Sequence, residues 1–126
     1  MNQISYDDFS KVDIRIGTVL EAEVPDWSHW VMRLKVDFGE EIGTKLSFSG
    51  IMKFYKPEDL IGKQFPFVIN LEPKKIGPDR ELSEAMMIMA TPQASHAGGQ
   101  VVQDDEETAP ILFKISKKTA NGTKVR

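Results

Sequence analysis

Apolar and polar residues alternate along most of this chain. In "DIRIGTVLEAEV", Ile14, Ile16, Leu20, Ala22 and Val24 fall on one face and Asp13, Arg15, Glu21 and Glu23 on the other, the period-two signature of a half-buried strand. "WVMRLKVDF" repeats the pattern and predicts Met32, Leu34, Val36 and Phe38 facing inward. "GTKLSFSG" predicts a third, short strand. In "KQFPFVIN", Phe65, Phe67 and Ile69 share a face, and Pro66 removes a ladder donor, which predicts an edge or bulged strand. "AMMIMA" is apolar on both faces, as expected of a strand covered on both sides, and "ILFKI" alternates again.

Helical signals are short. "YKPEDLIGK" sets Pro57 at a first helical position, follows it with Glu58 and Asp59 where the helix dipole favours negative charge, and stops at Gly62. "SYDDFSKV" predicts one further turn ahead of the first strand. Five or six short strands with a helical turn between the third and fourth define an all-β fold, and the five-stranded Greek-key OB barrel has that order of elements. A non-barrel sandwich fits the same pattern. Residues 92–109 are small, polar and acidic and offer little surface to bury, which predicts a flexible acidic loop. The length of 126 residues predicts a single domain over 1–126, with short extensions at both ends of the barrel.

Composition narrows the chemistry. Without cysteine there is no disulfide, no thiolate nucleophile and no zinc ligation by sulfur. The N-terminus has acids where a signal peptide needs positive charge, and no apolar run approaches the ~18 residues of a membrane span. The expectation is a cytoplasmic protein with no membrane insertion. His29 and His96 lie far apart, and neither has a partner at metal-site spacing. There is no G-x-S-x-G elbow or Walker loop, and Glu40 and Glu41 are better explained as a wet turn than as an acid and base pair. Nothing in these residues points to an enzyme, a cofactor or a metal.

The net charge is −3, from 16 Lys and Arg against 19 Asp and Glu. Four of the acids are the run 104–107, and between Lys45 and Arg80 the balance reverses, with seven cations against four acids. That stretch contains "NLEPKKIGPDRELSEAMMIMA", where adjacent lysines sit on a turn leading into an apolar strand.

Several blocks together carry a resemblance. "DFSKVDIRIGTVLEAE", "LKVDFGEEIGTKLSFSGIMKFYKPEDLIGK", "NLEPKKIGPDRELSEAMMIMA" and "KKTANGTKV" resemble the tRNA-binding OB domains related to the C-terminal appendix of methionyl-tRNA synthetase and to endothelial monocyte-activating polypeptide. "VDFGEEIGTK" with "YKPEDLIGKQ" is most similar to the CsaA branch. The resemblance implies an OB barrel that forms a homodimer and binds tRNA by shape, and in the CsaA branch also a chaperone for protein secretion. Carried over by position, it implies RNA-binding roles for Ser49 in "SGI", for Asn70, Lys74 and Lys75 in the Asn-Leu-x-Pro-basic-basic turn, and for Ser83, Glu84 and Met86. Lys53 and Arg80 add cations beside these. Lysines hold phosphates while neutral groups hydrogen-bond bases or sugars.

The chain departs from that pattern in three places, one of them the "RELSEAM" approach beside Arg80, which is longer and more acidic than the plain Arg-Gly turn common in relatives. Ala85 stands where the family has glycine, and "DWSHWVMRL" replaces a polar "NADKL" stretch. Trading Asn and Lys for Trp27 and Trp30 makes these rings candidates for a peptide groove, for stacking on bases, or for core packing. Met86, Met87 and Met89 are expected in the core. Phe9, Val12, Phe54 and Tyr55, with Tyr6, Leu60 and Ile61, exceed what one small barrel covers and are dimer-interface candidates. The expected function is tRNA binding by a non-catalytic homodimer. The alternative is a chaperone that binds unfolded or extended polypeptide for the export machinery. A purely structural domain is the third reading.

Overall fold

A computed structural model describes residues 1–92 and 108–126. The expectation of a flexible loop over 92–109 therefore falls almost wholly outside the described residues, as does His96. The N-terminal turn is the helix α1 (Tyr6–Ser10), capped by the Ser5 hydroxyl, which accepts the Asp8 N–H at 3.0 Å. The strands are β1 (Ile14–Glu23), β2 (Met32–Asp37), β3 (Thr44–Ser49), β4 (Gln64–Val68), β5 (Lys74–Ile76), β6 (Glu81–Ser83), β7 (Met86–Met87), β8 (Met89–Ala90), β9 (Ile111–Leu112) and β10 (Lys124–Val125). Between β3 and β4 lies a 3₁₀ turn, Pro57–Asp59, with Pro57 leading it and the chain leaving through Gly62 at φ +82°.

The main sheet is antiparallel in the order β3-β2-β1-β4-β7, with β10 added beside the start of β1. Its two ends meet. The Glu84 and Ala85 N–H groups donate to the Leu46 carbonyl at 2.8 and 3.2 Å, and the Phe48 N–H donates to the Ser83 hydroxyl at 3.2 Å. This joins the β7 end to β3 and closes the sheet into an all-β barrel of the OB type, as the element order predicted. β5 and β6 form a hairpin outside the barrel wall, and β8 pairs with β9.

The interior follows the alternation of β2, whose Met32, Leu34 and Val36 are fully buried with Phe38 just beyond. Phe38 meets Phe67 edge to face at 5.4 Å, and Phe65, Ile51, Leu60 and Met87 complete the centre.

Four expectations change. In β1 the register with β2 shifts between Val19 and Glu21, so Leu20 is the extra residue of a bulge and points outward. Val19 and Ala22 then face the core, and Leu20 and Val24 are exposed. Gly17 faces the central cluster, where a Cβ would lie 2.5 Å from Val36 Cγ1, while Ile16 is buried as expected but outside that cluster. β4 is an inner strand despite Pro66, whose carbonyl accepts the Ile88 N–H at 3.0 Å past the end of the β7 pairing. The missing donor falls where regular pairing has stopped. "AMMIMA" breaks at Ile88 into two strands of different sheets, so Met87 is buried while Met86 is exposed. Leu60 is a core residue and leaves the list of interface candidates.

Candidate nucleic-acid interface

The hairpin β5–β6 pairs Lys74 with Ser83, Lys75 with Leu82 and Ile76 with Glu81. Its turn runs from Gly77 to Arg80, with the Arg80 N–H on the Gly77 carbonyl at 3.1 Å and both residues at positive φ, +75° and +54°. Gly77 has a packing reason as well, since a Cβ there would collide with the Trp27 ring. Trp27, half-buried and tilted against Phe48 at 6.4 Å, is therefore the support on which the hairpin turn rests. Arg33 adds a second anchor: its guanidinium bonds Glu81 at 2.9 Å and Glu23 at 3.1 Å.

Between this hairpin and β3 lies a cleft of about 390 Å³. Trp30, Phe48, Leu71, Ile76 and Met86 supply apolar walls, and Lys74, Glu72, Ser83 and Glu84 the polar ones. Trp30 is 45% exposed, and its position is set by its neighbours. The buried Ser28 hydroxyl accepts the Trp30 and Val31 N–H groups at 3.2 and 2.8 Å, and the indole edge lies against Gly50, where a Cβ would come within 2.5 Å of Nε1. Lys53 Nζ stands 5.8 Å from the centre of the indole ring.

The structure thus brings Lys74, Ser83, Glu84 and Met86 into one cleft with Trp30, and places Lys53 beside it. Lys75 and Arg80 are exposed on the same hairpin. Lys75 alternates with Lys74 and so occupies the other face. The other carried-over residues make bonds within the protein. The Asn70 amide accepts the Asp13 N–H at 2.8 Å and donates to the Lys11 carbonyl at 2.6 Å, tying the N-terminal segment to the end of β4. Ser83 and Glu84 accept the Phe48 and Leu46 N–H groups, both at 3.2 Å, as part of barrel closure. Ser49 is buried. Ser83 and Glu84 line the cleft while making these bonds, and beside them stand Lys74, the Glu72 carboxylate, the Trp30 ring and the exposed Leu71 and Met86 side chains. Met86 and Leu71, each 51% exposed, are lining residues that alternation alone misplaces or overlooks.

Of the interface candidates, Phe9 and Val12 are exposed on and just after α1, and Phe54 is half-buried. Tyr55 packs on the core and its hydroxyl donates to the Pro110 carbonyl at 2.6 Å. Among the described residues, no cluster of His, Asp and Glu could hold a metal ion, and no helix is long and apolar enough to cross a membrane.

An OB barrel with a cation-lipped aromatic cleft on one face defines a class of oligonucleotide-binding modules. Within that class, the family model "Putative tRNA binding domain" matches residues 14–123, and the chain belongs to this tRNA-binding domain family. Methionine–tRNA ligase of Methanocaldococcus jannaschii is 36% identical over 126 residues, all of this chain. The chain spans only 10% to 17% of the length of the ligases it matches. Among solved structures, the chaperone CsaA of Bacillus anthracis is 36% identical with a TM-score of 0.75, covering 99% of this chain and 100% of that one. A MetRS-related protein of Pyrococcus horikoshii is 29% identical with a TM-score of 0.77 and full coverage of both chains.

Proposed function

We propose that residues 1–126 act as one non-catalytic tRNA-binding unit of the CsaA type, working as a homodimer in the cytoplasm. The observation that carries this reading is the cleft where Lys74 and Trp30 meet, inside the span matched by the family. Lys74, Lys75, Lys53 and Arg80 would hold phosphates, and Trp30 with Met86 would take an unstacked base, so affinity comes from backbone charge and stacking rather than from sequence readout. The apolar Tyr6, Phe9 and Val12 offered by the N-terminal segment are the proposed dimer contacts. A dimeric mass at micromolar concentration is the expected result, and a monomeric mass removes that part.

The deciding experiment is titration with bulk tRNA across a range of salt. Counterion release gives log K a slope of about −0.7 to −0.9 against log[salt] for each phosphate neutralised, so Lys74→Ala/Lys75→Ala should flatten the salt slope by about 1.4 to 1.8 and weaken binding. An unchanged slope moves the site off this hairpin. The exposed Leu71 and Met86 also favour a second reading, an extended apolar polypeptide in the same cleft, consistent with the chaperone description of the Bacillus anthracis neighbour. If an unfolded apolar peptide binds and excludes tRNA while tRNA alone binds no tighter, that second reading replaces the first.

A further inference from the structure

The most basic stretch of the chain lies outside the hairpin. Residues 113–126 hold Lys114, Lys117, Lys118, Lys124 and Arg126 and not one acid. The fold lays this segment against the start of β4 and the middle of β1, leaving a cleft of about 580 Å³. Lys63, Lys114 and Lys118 line it with no Asp or Glu among the lining residues. None of the three takes part in an ion pair among the described residues. Asp59 lines the adjoining groove that shares Lys63 and Lys114, and its carboxylate accepts the Lys56 N–H at 2.8 Å.

The wall of this cleft is held in place by its own hydrogen bonds. The Gln64 amide donates to the Thr119 carbonyl at 2.7 Å and accepts the Thr119 N–H at 3.1 Å. Asn121 Oδ1 accepts from the Thr18 hydroxyl at 2.6 Å and from Gln64 at 3.0 Å, and its Nδ2 donates to Asp37 at 3.2 Å. The C-terminal segment is thereby fixed to the barrel wall by side chains more than 50 residues away. Among the described residues, three cations share a concave site with no acid in its lining and a polar floor already satisfied, which offers their charge to a ligand.

We propose that this C-terminal cleft is a second phosphate-binding site and that its ligand is the backbone of the same RNA held by the hairpin; this part rests on the tRNA-binding reading above. The two clefts lie off opposite ends of β4. Gln64, which lines one cleft, and Leu71, which lines the other, are seven residues apart and so at most about 23 Å at ~3.3 Å per residue, within the reach of one folded RNA. Two weakly basic sites joined in one rigid barrel act by effective concentration, which suits a chain with net charge −3.

The test compares wild type, Lys63→Ala/Lys114→Ala/Lys118→Ala and Lys74→Ala/Lys75→Ala in bulk tRNA titrations over salt, with solution mass and melting checked for each. The triple variant should flatten the salt slope by about 2 to 3, independently of the hairpin pair. In a second arm, tripolyphosphate is titrated into ¹⁵N-labelled wild type, and the amides of Lys63, Thr119, Ala120 and Asn121 should move. If wild type binds tRNA and the triple variant binds with the same slope, the second site is overturned and the hairpin reading stands. If the triple variant instead becomes monomeric with its slope unchanged, the cleft is a contact between copies and the proposal is equally overturned. If wild type binds no tRNA, the functional reading itself fails. Tripolyphosphate shifts in the cleft would then assign it to a small phosphorylated molecule and overturn the RNA source, and their absence overturns the site. Should the triple variant fail to fold, the wild-type tripolyphosphate arm still decides whether phosphate is bound there.

Discussion

Asn70 offers the sharpest separation between a residue that touches RNA and one that shapes the protein. Its position in the Asn-Leu-x-Pro-basic-basic turn predicts a ligand contact, whereas its amide is engaged on both sides by the chain, accepting the Asp13 N–H at 2.8 Å and donating to the Lys11 carbonyl at 2.6 Å. Asn70→Ala removes both bonds. At about 0.5 to 1.5 kcal/mol each, and toward the lower end because both are solvent-exposed, the expected loss is about 1 kcal/mol. Since the bonds join the N-terminal segment to the end of β4, the loss should appear first as local opening. Hydrogen exchange of the Asp13 amide should accelerate about fivefold, and thermal unfolding should shift by only a few degrees. The salt slope of tRNA binding should not move, because no phosphate contact is lost. Weaker tRNA binding with unchanged Asp13 exchange and unchanged Tm would refute this assignment and return Asn70 to the ligand.

Three further outcomes follow from the same geometry. Gly17→Ala drives a Cβ to 2.5 Å from Val36 Cγ1 and 2.6 Å from Phe38 Cε1, both fixed in the barrel centre, and should destabilise by about 1 to 3 kcal/mol in urea titration; equal or greater stability would mean the core yields at that point. Ser47→Ala should have the opposite sign, gaining about 1 kcal/mol, because the Ser47 hydroxyl is fully buried with no hydrogen-bond partner among the described residues; a loss would reveal a partner. In fluorescence, Trp30→Phe should remove the emission that a soluble quencher reaches and that tRNA shields, leaving the emission of the half-buried Trp27; persistence of the tRNA-sensitive signal would place the bound base elsewhere.

Contiguous residues were enough to specify the local elements. The alternation of Met32, Leu34, Val36 and Phe38 named one wall of the core, and Pro57 with Gly62 bounded the turn between β3 and β4, because period and capping depend only on near neighbours. The order of those elements, with the blocks shared with relatives, was enough for the barrel. What sequence alone left open depends on partners far along the chain. The bulge at Leu20 exists only in register with β2, and it reverses which β1 residues face inward. The break at Ile88 turns Met86 outward and Met87 inward, which an apolar run cannot encode by itself. Asn70, Ser83 and Glu84 satisfy backbone groups 57, 35 and 38 residues away, a closing and anchoring use of their polarity that the local sequence does not show. Lys63 acquires Lys114 and Lys118 as neighbours only when the C-terminal segment folds back through Gln64 and Asn121. Periodicity is a property of neighbours in sequence; a binding surface is a property of neighbours in space, and only closing the barrel decides which charges share one face.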